Sequence, residues 1–412
     1  EASVQDIFGD SVLHIATLGN MKKNLVSRFI NAGALVNAQN KKGLSPLAEA
    51  VEQKNIEHIQ LYVSYGADIF SSDANGNTPL IRCLSNGNIL KMLVCKNNVN
   101  VTDPYGNTAL HIALENKATA GSVRYLLDAG IDVNARNCYG ETPLFSALKI
   151  DNYQGVQQLI KAGATTDLQD NLGNTAMHKA VRWAAEKSLA KLIASDYSVD
   201  IKNQSGKTPL AEAARQNRLN IMKKLVASGA NVNASDVTGK TVLMDAIECK
   251  NPVAASFLLQ KGADPKQCDF YGRNAFHEAA STNTFELIDL VSKTGTNPLS
   301  DDYHGRTPFG VLTRSTEQNI ACLLTNRNAV DSKGNGFLHV AVIENAPVET
   351  FELLQIVILY NVLAFGLQSV FGAVADKVGR PHNFSIIGCL LLITGLFLVT
   401  KPFLAITLCG IG

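Results

Sequence analysis

Apolar and polar positions along this chain recur with a period near 33 residues. A glycine, usually followed two residues later by Thr or Ser and then by a Leu-His-x-Ala-like run, stands at Gly9, Gly43, Gly76, Gly106, Gly140, Gly173, Gly206, Gly239, Gly272, Gly305 and Gly334. The steps are 34, 33, 30, 34, 33, 33, 33, 33, 33 and 29 residues. Self-similarity held at one period predicts a solenoid whose units each leave an apolar face for the next to cover. The expected fold class is therefore all-α, with about eleven helix-turn-helix units joined by short hairpins.

Within a unit, Thr78-Pro79, Thr142-Pro143, Thr208-Pro209 and Thr307-Pro308 place a hydroxyl at the N-cap and a proline at the first helical position. The missing proline N–H has no intrahelical partner to lose there. A short first helix follows, with apolar positions at Leu110, Ile112 and Ala113 or at Leu210, Ala211 and Ala213. The second helix carries large paired residues, as in Tyr125-Leu126-Leu127, Gln158-Leu159-Ile160, Lys224-Leu225-Val226 and Phe257-Leu258-Leu259. It ends at a glycine such as Gly130, Gly163, Gly229 or Gly262, suited to a left-handed helix terminus. Segments such as residues 230–239 then project as a turn or hairpin.

Asn107-Thr-Ala-Leu-His-Ile-Ala113, Glu141-Thr-Pro-Leu-Phe-Ser-Ala147 and Lys207-Thr-Pro-Leu-Ala-Glu-Ala213 resemble the opening of an ankyrin repeat, and Ser228-Gly-Ala-Asn-Val-Asn233 resembles its close. The resemblance covers residues 1–352, expected as one domain, and implies binding of a protein partner on the concave face of the repeats, through turn tips and first helices. Some units depart from the pattern. The third is short, the tenth has Phe309-Gly310 in place of Leu-His, and Asn274 and Gly336 replace the capping hydroxyl, which predicts weaker caps. Residues 310–331 are expected to open first, because a solenoid is held by nearest-neighbour contacts.

Chemistry adds little to this picture. His14, His111, His178, His277 and His339 each fall five residues after their anchor glycine, so they recur by register and predict hydrogen bonds to neighbouring turns, not one catalytic centre. Triad order, zinc-protease spacing, phosphate loop and paired carboxylates are all missing from the sequence, so no catalytic residues, no enzyme activity and no cofactor are expected. The eight cysteines form no C-x-x-C pair, predict no metal site, and read as free thiols of a reducing compartment. Residues 1–352 hold 35 acidic and 34 basic residues, too even a balance for a nucleic-acid partner. The candidate partner-binding residues are Tyr105, Tyr139 and Tyr271, each just before an anchor glycine, with Phe270, Tyr303 and the single tryptophan, Trp183. An aromatic side chain before the glycine could instead simply cover the adjacent turn.

Beyond residue 352 the pattern changes. Ile356 to Ala375 are twenty residues without a charge, and Phe384 to Thr400 are seventeen. As helices such runs are about 30 Å long or slightly less, the thickness of a hydrocarbon core, so residues 353–412 are expected to form a membrane segment. A buried core helix is the alternative. Between the runs, Gly372, Asp376, Lys377, Gly379 and Arg380 resemble the loop motif of the major facilitator superfamily of transporters, where the aspartate and basic residues help set the two access states. The resemblance covers about sixty residues, with two spans and the start of a third. Lys377 and Arg380 belong in the cytoplasm by the positive-inside rule, which sends the repeats to the opposite face, whereas their thiols favour the cytoplasm. The chain starts at Glu1 and stops inside an apolar run, the expected appearance of a fragment. The leading reading is an interaction scaffold tethered to a membrane. The others are a repeat-regulated transporter present only in part, and an artefactual junction of two sequences near residue 355.

Overall fold

A computed structural model describes residues 4–94, 99–195, 198–313, 316, 319–320, 329–344, 346–347, 350 and 354. The chain divides into two compact units, Glu1–Asp264 and Pro265–Gly412. The membrane segment expected over 353–412, with the loop motif at Gly372, Asp376, Lys377, Gly379 and Arg380, lies outside the described residues apart from Leu354. Among the described residues no helix is long and apolar enough to cross a membrane. Residues 314–315, 317–318 and 321–328, much of the stretch expected to open first, also lie outside them.

In the first unit, pairs of helices follow one another at the predicted period. The pair that follows Gly206 illustrates the build. Thr208 stands extended at the N-cap, its hydroxyl accepts from the Ala211 N–H at 3.3 Å, and the helix Pro209–Arg215 follows. At seven residues this helix is far too short to persist alone, so tertiary packing must hold it. It buries Leu210 and Ala213 completely, and the alanine lets the adjacent helix approach. The chain reverses at Asn217 (φ 52°), where the Arg218 N–H donates to the Ala213 carbonyl at 2.9 Å. The second helix, Leu219–Ala227, buries Leu225 and ends at Gly229, φ 89°.

The reversal between paired helices was not anticipated from glycine content. Asn20, Lys54, Lys117, Asp151, Ala184, Asn217, Lys250 and Asn283 all adopt φ between 46° and 56°, each eleven residues after an anchor glycine. For Lys and Ala this left-handed backbone costs about 1 kcal/mol, which the helix-end hydrogen bonds and packing on both sides offset. Other expectations need correction too. Among the described residues there are no strands, and the hairpins reduce to isolated antiparallel bridges, Gln5 with Ser11, Thr102 with Thr108 and Ser235 with Thr241. The Thr142 hydroxyl sits at its N-cap position but makes no hydrogen bond. Of the paired residues on second helices, Leu126, Leu159, Leu225 and Leu258 are fully buried, whereas Leu127, Ile160, Val226 and Leu259 are half-exposed. Ile112 is likewise half-exposed.

In the second unit, Ala275–Thr282 and Phe285–Ser292 form one helix pair, followed by the short helix Pro308–Leu312 and by Phe337–Ile343. Asn274 does not weaken its cap: its Oδ1 accepts from the Phe276 and His277 N–H groups at 3.0 and 3.2 Å. The departure at Phe309-Gly310 also has a packing cause. Phe309 fills the core and meets the Phe337 ring edge-on at 4.9 Å. A Cβ on Gly310 would come within 3.0 Å of the Glu344 carboxylate.

Candidate protein-interaction face

Each tip is built by a residue that the glycine register conceals. Three positions before every anchor stands Asp or Asn, and one side-chain oxygen accepts from two backbone N–H groups, one on each side of the glycine. Asp170 Oδ1 binds the N–H groups of Leu172 at 2.9 Å and Asn174 at 2.8 Å. Asn203 Oδ1 binds those of Ser205 and Lys207, both at 3.0 Å. The glycine then turns left-handed, as at Gly173 (φ 76°) and Gly206 (φ 74°).

Neighbouring tips are joined through their backbones. The Cys138 N–H donates to the Tyr105 carbonyl at 2.8 Å, Asn171 to Tyr139 at 2.9 Å, Gln204 to Leu172 at 3.1 Å and Val237 to Ser205 at 3.2 Å. Lys41 to Phe8 and Ala74 to Lys42 make the same rung nearer the amino end. One rung is chemically impossible: Pro104 holds the donor position facing the third tip and has no N–H.

This ladder holds two of the predicted anchors side by side. Tyr105 and Tyr139 are exposed at 59% and 58% on adjacent tips. Trp183 is elsewhere in the repeat, half-buried at the C-cap of the helix Ala176–Arg182, with Lys179 Nζ 5.3 Å from its ring. In the second unit Phe270, Tyr271 and Tyr303 are all exposed, and the Tyr303 N–H donates to the Tyr271 carbonyl at 2.9 Å. In the first unit Leu172, one position before its anchor glycine, and Val237, two positions before its own, are equally exposed, although a search for aromatic residues passes over them. Counting back from each glycine would have found both.

The histidines act between repeats. The Thr108 N–H donates to His111 Nδ1 at 3.1 Å, so the Nε2–H is the one that reaches the Glu141 carbonyl of the next repeat, also at 3.1 Å. His14 to Leu44, His178 to Lys207 and His277 to Arg306 repeat the clamp at 2.8, 2.9 and 3.2 Å. Burial pushes the imidazoles of His111, His178 and His277 below the usual histidine range, against the opposing effect of the carbonyl bond, and so favours the neutral ring. His339 departs from the expectation: it is exposed, and Gly336 offers no side chain at its cap.

Charges reinforce the same joints. Where the tip residue is Asn, its amide donates to the preceding repeat, as Asn137 does to Asn107 at 3.0 Å and Asn203 to Asn174 at 3.1 Å. At Asp170, as at Asp73, Asp236, Asp269 and Asp302, a cation is bound instead: Lys179 lies 2.9 Å from Asp170 and 2.8 Å from Glu141. Burial acts to raise the Asp170 carboxyl, but the Lys179 and Asn174 bonds outweigh it and hold the group below the ordinary aspartate range. Lys207 bridges Asp236 at 3.2 Å and Asp245 at 2.7 Å. Among the described residues no group of three His, Cys, Asp or Glu converges as metal ligands. The geometry is that of a rigid row of presented side chains.

Comparison with known proteins agrees with this anatomy. A family model described as ankyrin repeats (3 copies) matches residues 53–137, 118–201 and 182–269, together more than half of the chain. Human B-cell lymphoma 3 protein is 36% identical over 115 residues, which is 27% of this chain and 25% of that protein. The mouse B-cell lymphoma 3 protein homolog is 30% identical over 149 residues, 34% of this chain and 33% of that protein. The nuclear factor NF-kappa-B p105 subunit of Gallus gallus is 28% identical over 166 residues, 36% of this chain and 16% of that protein. The matched part of the chain thus spans at most a third of the length of these relatives.

Proposed function

Because this chain belongs to the ankyrin-repeat family, we propose that it is a protein-interaction scaffold whose partner docks on the concave face formed by turn tips and first helices. The observation that carries this reading is the row of exposed apolar side chains, Tyr105, Tyr139 and Leu172, on tips fixed to one another by backbone hydrogen bonds. Rigid aromatic side chains lose little conformational freedom on binding and make strong interface anchors. Trp183 extends the first group, and Phe270, Tyr271 and Tyr303 form a second group in the other unit. Capture of the natural partner from a lysate by the full chain is the test. Tyr105→Ala with Tyr139→Ala is expected to abolish capture while leaving the unfolding midpoint unchanged. Undiminished capture retires the assignment of these anchors.

The scaffold is held at a membrane through residues 356–412, a reading supported by the uncharged runs Ile356 to Ala375 and Phe384 to Thr400. The full chain is expected to stay in the pellet on alkaline carbonate extraction, and a chain ending at residue 352 to be released. Release of both removes the tether. The side on which the repeats lie follows from labelling exposed Cys138 with an impermeant maleimide in sealed vesicles. Protection from the cytoplasmic side would support the positive-inside orientation, and with it the transporter-like reading of Asp376, Lys377 and Arg380.

A further inference from the structure

The position nine residues after each anchor glycine lines one edge of the first helices in the first unit, and its charges pair with their neighbours along the series. Lys149 pairs with Glu115 of the preceding repeat, and Arg215 with Glu248 of the following one at 3.2 Å. Arg182 stands between them, so both of its neighbours in the series are cations already committed elsewhere. It is exposed, and no carboxylate of the described residues lies within ion-pairing distance of it. Lys179, one turn earlier, is already neutralised by Asp170 and Glu141. Among the described residues, Arg182 is therefore the one member of this series between Glu115 and Glu248 with no counter-ion.

It also borders a groove. An open depression of about 220 Å³ between the sixth and seventh tips is lined by Leu172, Lys179, Arg182, Gln204, Ser205 and Glu212, among others. Glu212, the acidic residue on that wall, is held by the Gln216 amide at 2.7 Å. Leu172, which also lines the groove, is 59% exposed. The groove thus offers an exposed cation that is in no ion pair and an apolar contact on its lining, with the chain's single tryptophan next to Arg182 in sequence.

We propose that this groove receives an extended segment of a partner protein carrying an acidic side chain for Arg182 beside an apolar side chain that covers Leu172. The inference rests on the protein-binding reading above and names the chemistry of the partner. Charge complementarity selects the segment: a carboxylate gains an ion pair at Arg182 without displacing an existing one, whereas a basic side chain placed there would be repelled by Arg182.

A phage-displayed library of random peptides selected on the full 412-residue chain, with subtraction against Arg182→Glu, tests it directly. Enrichment of Asp or Glu next to an apolar residue is expected. Synthetic copies of the enriched peptides should shift the emission of Trp183, the only tryptophan, and bind roughly tenfold more weakly to Arg182→Glu and about threefold more weakly to Leu172→Ser. Both positions are exposed, so unchanged circular dichroism and unfolding midpoints separate lost binding from lost folding. Enrichment of neutral or basic peptides, or equal affinity for Arg182→Glu, overturns the proposal. If selection yields nothing while the natural partner is still captured and is released by Tyr139→Ala, the groove assignment falls and the scaffold reading stands. If neither binds, both fall.

Discussion

The third repeat and the repeats that follow it in the first unit share one plan but differ in how they are fastened. From Gly106 to Gly239 each first helix has seven residues, every tip is joined to the next by a backbone rung, and His111 and His178 clamp across two of the joints. In the third repeat the first helix is only Pro79–Cys83, Ile81 stands where the clamp histidine would be, and Pro104 removes the rung to the next tip. What remains at that joint is side-chain reach: Ser122 Oγ donates to the Leu84 carbonyl at 2.7 Å, and the Tyr125 hydroxyl to the Val94 carbonyl at 3.0 Å. The backbone hydrogen bonds at the joints, more than the helices, set how firmly one unit is coupled to the next, because helices this short have little stability of their own.

The strongest test compares two glycines of nearly identical backbone. Gly206 (φ 74°) and Gly76 (φ 77°) both adopt a conformation that strains an L-residue, but a Cβ on Gly206 would come within 2.4 Å of Val237 N, the donor of the rung, whereas one on Gly76 meets nothing within 4 Å. In urea unfolding, Gly206→Ala is expected to lose about 3 kcal/mol and Gly76→Ala about 1 kcal/mol. Equal losses would mean that the rungs do not couple the repeats. His111→Ala comes next. It leaves the Glu141 carbonyl and the Thr108 N–H without their partner, for a loss of about 2 kcal/mol. A loss below about 0.5 kcal/mol would reduce the clamp to a decoration.

Acid sharpens the same contrast. The folded-state values of His111 and His178 lie below the ordinary 6.5, so between the folded and unfolded values the unfolded chain binds more protons. Their contribution is fully present above about pH 6.5, falls as the pH drops below that value, and is gone once the pH has passed the folded values. Hydrogen exchange in Ala109–Glu115 and Ala176–Arg182 should therefore accelerate from pH 6.5 downward, after correction for the intrinsic rate. Pro79–Cys83, lacking the clamp, should not follow. The smallest effect is expected of Pro104→Ala. A restored N–H adds about 0.5–1 kcal/mol if it completes the rung, and loss of the ring's restriction on the unfolded chain removes a similar amount. Global stability should stay within about 0.5 kcal/mol of the parent, while the amides around Gly106 exchange more slowly.

Much of this could be read in the one-dimensional pattern. The anchor glycines were legible because only a left-handed turn asks for glycine at a fixed interval, and the histidines because their register matched that of the glycines. The acidic and amide residues three positions earlier were equally regular, but Asp and Asn are common in any polar loop, and their two-pronged acceptance from Leu172 and Asn174 or from Ser205 and Lys207 becomes visible only with the backbone in place. Asn274 looked like a lost cap and is a good one, because its amide oxygen reaches two N–H groups where a hydroxyl commonly serves one.

By itself, then, the sequence determined the repeat: its period, its two helices, its turn glycines and the side chains carried at the tips. Those features follow from local backbone preferences and from apolar spacing within about thirty residues. Tertiary structure alone decided which joints are fastened and which charges are left over. Ala184 and Lys250 turn left-handed because packing on both sides holds them there. The Thr142 hydroxyl remains unbonded at a position where Thr208 caps. Arg182 stays without a counter-ion because each neighbouring cation reached its acid in the other direction along the stack. Such outcomes depend on distances between residues about a full repeat apart in the chain, and those are set only when the units have stacked.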